Sequence, residues 1–329
     1  MLESVTQHDL WPVTGRDSLR DLMVSIEPHK PKYYHLGFGK GTSRSNFANA
    51  NEKRDCRIFE EYAFYLIDLA RKSSIVDQDF QLNIDENIYA FDSTTIDLCL
   101  SVFWWAKFRK TKGGIKLHTL YDIKTSIPCF IHVSSASVND INALDLLYYE
   151  PEGYYILDRG YIDYERLFRI HQNSAYFVVR AKVNLQFRRM YSNKVNKDNG
   201  VLLDQIGKLT GFYVSKSYPE KLRRIKFYDE ETNNNLMFLS NNLDLKAEEI
   251  AQLYKYRWKV ELFFKWIKQH LKVKSFWGTS LNAVKIQVYS AIIAYCLVAL
   301  VRNKLKVDRS TYEILQILSI SLLDKTPLA

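Results

Sequence analysis

The densest chemistry in the chain lies in Tyr254-Lys-Tyr-Arg-Trp-Lys-Val-Glu-Leu-Phe-Phe-Lys-Trp-Ile-Lys268. On a continuous helix, at about 100° per residue, Tyr254, Arg257, Glu261 and Lys268 fall within a stripe roughly 60° wide. At 1.5 Å per residue that stripe is about 21 Å long. Leu253, Val260, Phe264, Ile267 and Leu271 line one flank, and Trp258, Leu262 and Trp266 the other. A carboxylate between two apolar flanks is partly buried and needs a partner: Arg257, Lys268, a metal ion or a mixture of these. A solvated helical ladder, with Arg257 and Glu261 as an ordinary i,i+4 pair, uses the same residues.

Two further acids change the balance. Asp92 follows the apolar run Ile88-Tyr-Ala-Phe and precedes Ser93-Thr-Thr95; Asp158 follows Tyr154-Tyr-Ile-Leu and opens Asp158-Arg-Gly-Tyr161. Carboxylates at the carboxyl ends of strands sit where α/β sheets place their sites. Each alone is weak, because Asp is also a common turn residue. Three hard oxygen donors suit Mg²⁺ or Mn²⁺ rather than zinc. Two such ions about 3.5–4 Å apart activate a water or a 3′-hydroxyl on one side of a phosphodiester and stabilise the leaving oxygen on the other. Between Tyr254 and Lys274 there are seven Lys or Arg and one acid, Glu261, so a polyanion can approach. Lys and Arg fix phosphates, and a ring such as Tyr254 can stack on an unpaired base.

The elements that must position these groups follow from periodicity. Ile58 to Leu69 has helical spacing, preceded by a basic loop, Pro28 to Gly41, broken by Pro and Gly. From Asn87 the period becomes two: Ile88–Asp92, Ile115–Tyr121 and Cys129–Val133 read as strands, with turns at Gly113-Gly114 and Ser126–Pro128. A short helix opens near Ser137 or Asn139 with Asp140 in its first turn. Tyr154–Leu157 is a fourth strand, Tyr164–His171 a helix and Tyr176–Val179 a fifth strand. Three meandering strands followed by alternating helix and strand describe one mixed α/β sheet covered by helices, the ribonuclease H-like arrangement. Short strands Leu185–Tyr191, Leu222–Tyr228 and Leu236–Leu239 between polar turns mark a mostly β insertion, followed by long helices over about Lys246–Leu271 and Leu281–Asn303. The expected division is a helical region over 1–84, the first part of the core over 85–183, the β insertion over 184–243, and C-terminal helices completing the core over 244–329.

The chain of 329 residues is 47% hydrophobic and 25% charged, with 12 Gly and 7 Pro, which excludes a disordered or collagen-like protein. Its net charge of +9 permits a polyanionic partner without proving one. Cys56, Cys99, Cys129 and Cys296 lie far apart, with no zinc spacing, and read as reduced buried thiols. Met1 to Leu10 lacks a signal-peptide pattern. Ile286–Val301 is almost free of polar groups but short for a membrane span, and reads as a core helix.

The spacing Y-x2-R-x3-E-x6-K, filled by Tyr254, Arg257, Glu261 and Lys268, resembles the signature of the DDE transposases of the insertion sequence four family. The blocks around Asp92, Lys116-Leu-His118 and Asp158-Arg-Gly-Tyr161 match it in order. The resemblance covers roughly residues 85–300, and Ser43–Phe64 is similar to that family's N-terminal region. It implies a ribonuclease H-like fold in which Asp92, Asp158 and Glu261 form the catalytic, metal-binding triad, loaded with Mg²⁺ or Mn²⁺ as two ions. It implies that Tyr254, Arg257 and Lys268 contact the transposon end, with Arg257 and Lys268 on phosphates. The implied activity is cleavage of element ends, followed by joining of the 3′-hydroxyl to target DNA. The implied partners are duplex DNA and a second copy of the chain, in a cytoplasmic, nucleoid-associated setting without membrane.

Two departures stand out. Some relatives place a Trp in the β insertion to receive a flipped base; this chain has none between Asp158 and Tyr254, leaving Phe187, Tyr191 or Phe212 as substitutes. The end-binding N-terminal region is also short for the family. Among other residues, His118 beside Lys116 either orients DNA or a triad carboxylate or is a core histidine. Arg159 contacts a phosphate or forms a surface pair. Trp104-Trp105 and the basic residues after it form either a DNA-contacting loop or a half-buried pair beside a solvated one. Asp140 and Asp145 read as helix-start and surface acids. The competing functions are a shortened, non-catalytic DNA-binding protein and a ribonuclease H-like nuclease that needs no element ends.

Overall fold

The computed structural model describes residues 18–34, 41, 43–74, 77, 79–182, 184–270, 276–306 and 309–321. Met1–Leu10, the middle of the basic loop at His35–Lys40, and Leu271 lie outside the described residues. The loop's start is a 3₁₀ turn, Glu27–Lys32, rather than open chain.

Helices α1 (Leu19–Ile26), α2 (Arg44–Lys53) and α3 (Arg57–Ser73) precede the sheet. The five strands read from the sequence are present, with a short extra strand: β1 (Ile88–Leu98), β2 (Lys107–Arg109), β3 (Lys112–Asp122), β4 (Ile127–Ser135), β5 (Tyr154–Leu157) and β6 (Tyr176–Arg180). Their order β4-β3-β1-β5-β6, with β1, β5 and β6 parallel, is the ribonuclease H-like core. The 3₁₀ segment Asp140–Leu146 and helix α4 (Tyr164–Gln172) connect them.

Gly113-Gly114, expected as a turn, lies inside β3 opposite Leu98 and Asp97. A Cβ at Gly113 would stand 3.1 Å from Leu98 O, and one at Gly114 3.1 Å from Ile96 O. These glycines therefore serve close strand approach, and the turn falls between β2 and β3.

Period-two alternation divides the side chains between two faces. Ile88, Ala90, Tyr154, Ile156, Val178 and Phe238 join the larger core, while Tyr89, Phe91, Tyr155, Leu157, Phe177 and Leu239 join the smaller one. The larger core is closed by α6 (Ala247–Lys255), α7 (Trp258–His270) and α8 (Leu281–Leu305), with α9 (Thr311–Ser321) outside α8. Helix α8 is long and apolar enough to cross a membrane, but 78% of its most apolar window is buried in the protein. It is the core helix expected.

The β insertion is not a separate module. Strands β7 (Phe187–Ser192), β8 (Val201–Leu209), β9 (Leu222–Asp229) and β10 (Asn234–Ser240), with the short α5 (Phe212–Ser217), extend the core sheet to ten strands. The join is antiparallel pairing of β10 on β6, Phe238 opposite Arg180 and Ser240 opposite Val178, which covers an otherwise open edge. Strand β8 escaped the sequence reading because Asp204 and Gln205, both buried, interrupt the alternation. Asp204 is tolerated because Arg223 grips it with two hydrogen bonds of 2.8 Å.

The single helix expected over Lys246–Leu271 is also broken. Arg257 N–H donates to Tyr254 O, Lys259 N–H to Tyr256 O and Val260 N–H to Arg257 O, an i,i+3 pattern that tightens the chain between α6 and α7.

Candidate active site

Strand register places the two aspartates. The parallel pairing of β1 with β5 ends at Phe91 opposite Leu157, so Asp92 and Asp158 are the next residue on each strand. Alternation turns both toward the larger core's face, the one α6 and α7 cover. Asp92 does not end its strand, as the sequence suggested: β1 runs on to Leu98 against β3, with Asp92 opposite Thr119. The acid sits where β1 and β5 part.

Each carboxylate has internal donors. Asp92 Oδ1 accepts the Ser93 N–H at 2.8 Å and the Tyr161 hydroxyl at 3.4 Å. Its Oδ2 takes Arg257 Nη1 at 3.1 Å, while Arg257 Nη2 donates to Glu261 Oε1 at 2.5 Å. One guanidinium thus bridges acids 169 residues apart in sequence, one on a strand and one on a helix. Tyr254 donates to Asp158 Oδ1 at 3.0 Å, its ring packed on Phe238 with centroids 4.8 Å apart. Lys268 donates to Thr94 Oγ1 at 2.6 Å and to Thr95 O at 2.8 Å. The four residues of the helical stripe therefore all reach the edge formed by β1 and β5, despite the break between α6 and α7.

Electrostatics identify what this arrangement lacks. Burial raises the Asp92 pKa above the ordinary carboxylate range; the Ser93 N–H and the Arg257 charge oppose that, while Glu261 and Asp158 add to it. The three acids thus act on one another, and one guanidinium compensates them only in part. Burial, followed by the Asp158 charge, pushes the Tyr254 phenol up to about 12, so it remains a donor to that carboxylate. The donor set, three hard oxygens short of positive charge, fits a divalent cation. Among the described residues, no three His, Cys, Asp or Glu side chains stand close enough together to enclose an ion.

Several expectations are modified. One flank of the stripe, Leu253, Val260, Phe264 and Ile267, is in the core; on the other, Trp266 is half-buried against Tyr295, whereas Trp258 and Leu262 are exposed. Tyr254 is 9% exposed, so its ring is not presented for stacking on a base. His118 is fully buried, its Nε2 2.8 Å from Ser134 Oγ, and is not brought to a DNA-facing surface. Lys116 is tied to Val138 O at 2.7 Å and to Asp140 at 3.1 Å, behind the site rather than in front of it. Arg159 is half-buried, and its Nε has no hydrogen-bond partner. Trp105 donates to Thr279 O and packs on Phe103, while Trp104 is exposed. Tyr191 and Phe212 are exposed; Phe187 lies under the Arg224 guanidinium. Cys99 is exposed, unlike the buried thiol expected.

Sequence reasoning undervalued Asp140. It accepts the Ser93 hydroxyl at 2.6 Å, 3.1 Å from Lys116 Nζ, and so braces the residue whose N–H holds Asp92. Nothing in local spacing marks it, since Ser93 and Asp140 meet only through the fold. Asp145 is the surface acid expected, paired with Arg166 and Arg169.

A ribonuclease H-like sheet with carboxylates where its parallel strands part, and an acid-bearing helix across that edge, defines the class of nucleic-acid phosphoryl-transfer enzymes. Within it, residues 83–297 match the family described as the transposase DDE domain, and the chain belongs to that family. It is 33% identical to y4zB, a protein named as a transposase in Sinorhizobium fredii, over 82% of this chain and 73% of that one. It is 28% identical to a protein of Geobacillus stearothermophilus named as a transposase for insertion sequence element IS5377, over 66% of this chain and 57% of that one. A protein of Synechocystis named as a transposase for element IS4SA is 27% identical, over 80% of this chain and 72% of that one.

Proposed function

We propose that the chain is a cut-and-paste DNA transposase in which Asp92, Asp158 and Glu261 form the catalytic triad. The observation that carries the assignment is the shared position of Asp92 and Asp158 one residue beyond the last parallel rung of β1 and β5, with Glu261 joined to Asp92 through Arg257. The three carboxylates would hold Mg²⁺ or Mn²⁺, as two ions, whose chemistry is to lower the pKa of the attacking hydroxyl and neutralise the leaving oxygen.

The protein's own groups do the positioning. Tyr254 fixes the rotamer of Asp158, and Ser93 N–H and Tyr161 fix Asp92. Arg257 shields Asp92 from Glu261 in the DNA-free chain and turns to a phosphate of the element end when DNA arrives. Lys268, near Thr94 and Thr95, supports the same backbone. Water attacks the phosphorus at the element end and the bridging 3′-oxygen leaves. The freed 3′-hydroxyl then attacks a target phosphodiester, so one P–O bond forms for each one broken. Two copies of the chain pair two ends.

The test is strand cleavage of a duplex carrying the gene-flanking repeat, with Mg²⁺ or Mn²⁺, by the chain and by Glu261→Gln. Metal-dependent nicking at the repeat boundary, absent in the variant, is expected. Binding by both proteins without cutting by either overturns the catalytic reading in favour of a non-catalytic DNA binder. Cutting that ignores the repeat favours a ribonuclease H-like nuclease.

A further inference from the structure

A second charged site lies at the same carboxyl edge of the parallel strands. A pocket of about 230 Å³ opens where β6 leaves the sheet beside β9 and β10. Five cations line it, Arg159, Arg180, Lys182, Arg224 and Lys226, and no carboxylate does. Two strands (β6 and β9), the turn after β5 and the segment after β6 supply them, so they converge only in the folded chain.

The cations are poorly compensated. Arg224 Nη2 donates to Gln205 and its guanidinium lies over the Phe187 ring, 4.7 Å from the centroid, but its Nε has no hydrogen-bond partner. The Arg159 Nε is likewise buried and unpartnered. Desolvation holds the Arg224 pKa below its ordinary value, as expected for a guanidinium withdrawn from water without an anion beside it. The buried Arg223, by contrast, is matched to Asp204. Half-buried like charges that converge without a carboxylate are relieved when an anion joins them.

The pocket's place identifies the anion. Arg159 directly follows Asp158, as the first residue of the 3₁₀ turn Arg159–Tyr161 that leaves β5, so the pocket begins one residue from that carboxylate. Arg180 acts on Tyr254, whose hydroxyl holds Asp158. A strand whose scissile phosphate lies at Asp158 passes this pocket as it crosses the sheet edge.

We propose that Arg159, Arg180, Lys182, Arg224 and Lys226 form a seat for one backbone phosphate of the DNA strand that passes Asp158. The proposal rests on the transposase reading and extends it to a contact outside the Tyr254–Lys268 stripe. The seat fixes the strand on the far side of the cleaved bond, so the reacting phosphate is held from both sides.

The experiment is the salt dependence of binding of a labelled single strand, and of a duplex of the same sequence, to the full chain. The variants are Lys182→Gln, Lys226→Gln and their pair. The Lys182 side chain is exposed and makes no hydrogen bond or ion pair within the described residues, so its replacement spares the sheet. Because the seat takes one phosphate, the pair is expected to reduce the slope of log affinity against log salt by about 0.7 on the single strand or about 0.9 on the duplex, roughly fivefold in affinity near 0.1 M salt, and each single substitution by part of that. A larger loss on the single strand assigns the seat to a separated strand, and an equal loss assigns it to intact duplex; both support it. Lys221→Gln, an exposed cation outside the pocket, is the control. Unchanged slopes in the pocket variants overturn the seat, as does an equal loss from Lys221→Gln. If wild-type chain cuts the element end while pocket variants bind normally, the seat fails and the transposase reading stands. If pocket-dependent binding persists without any cutting, the reverse holds.

Discussion

The carboxylate edge and the cation pocket are neighbours along the chain, Asp158 and Arg159 being consecutive, yet they are built on opposite terms. At the carboxylate edge every acid is held by a partner: the neighbouring Ser93 N–H, Tyr161 and Arg257 on Asp92, Tyr254 on Asp158, Arg257 on Glu261. In the pocket, two guanidinium Nε atoms are buried without partners and no acid is present. The contrast separates rigidity from readiness. The first site is braced so that its carboxylates stay in place; the second leaves its compensation to whatever binds. Such a division suits an enzyme that must grip a long polyanion at one place and break it at another.

The largest effect that can break this contrast comes from Glu261→Gln. Strand nicking is expected to fall by about 10³-fold or more, the scale of losing a group that stabilises transition-state charge. DNA binding and its salt slope stay near wild type. A matching loss of binding would mean that the two sites are not separable.

Arg257→Met probes whether that guanidinium compensates the acids. Removing it leaves Asp92 and Glu261 facing each other half-buried, and a stability loss of about 1–3 kcal/mol is expected in denaturant unfolding. Added Mn²⁺ is expected to raise the melting temperature of the variant more than that of the wild type. Equal shifts in both proteins would show that Arg257 is not the stand-in for positive charge.

The bracing behind the site has its own pH signature. Burial pushes His118 down to about 4, against the stabilising charge of Asp140, so the fold holds its imidazole neutral. The unfolded chain takes up that proton near its ordinary value of about 6.5, so stability is lost as pH falls from about 6.5 toward 4. Asp92 acts in the opposite sense: its raised pKa favours the folded state at low pH, and that contribution is lost as pH rises above the ordinary carboxylate value. His118→Gln is expected to flatten the acid limb of the stability curve, read by denaturant melts across this range. An unchanged limb would place the acid sensitivity elsewhere.

The smallest expected effect is that of Tyr254→Phe. It deletes one hydrogen bond to Asp158 while keeping the ring against Phe238. About 1 kcal/mol of positioning is at stake, read as a roughly fivefold drop in nicking rate, since each 1.36 kcal/mol is tenfold, with DNA affinity unchanged. A change in affinity instead would make Tyr254 a DNA contact.

Much of this was legible in the residues. The period-two runs gave the five core strands and their order, because strands buried between helices leave an apolar signature in the chain itself. The spacing of Tyr254, Arg257, Glu261 and Lys268 marked one helical face, and that spacing survives the break at Arg257. What the sequence could not show depends on pairs formed across the fold. Strand β8 was hidden because its buried Asp204 is made tolerable only by Arg223 on the next strand. The β insertion looked independent because nothing local reveals that β10 covers the edge of β6.

The sequence by itself determined which acids follow apolar strand runs and which helix carries the third, since these follow from local periodicity and residue type. Only the tertiary structure decided that Asp92 and Asp158 each lie one residue beyond the last rung of β1 and β5, that Arg257 stands between Asp92 and Glu261, that His118 is inside with Asp140 beside it, and that five cations from distant parts of the chain share a pocket. The physical reason is range: helix and strand preferences act over a few residues, whereas register, burial and charge compensation are settled between segments that meet only when the chain has folded.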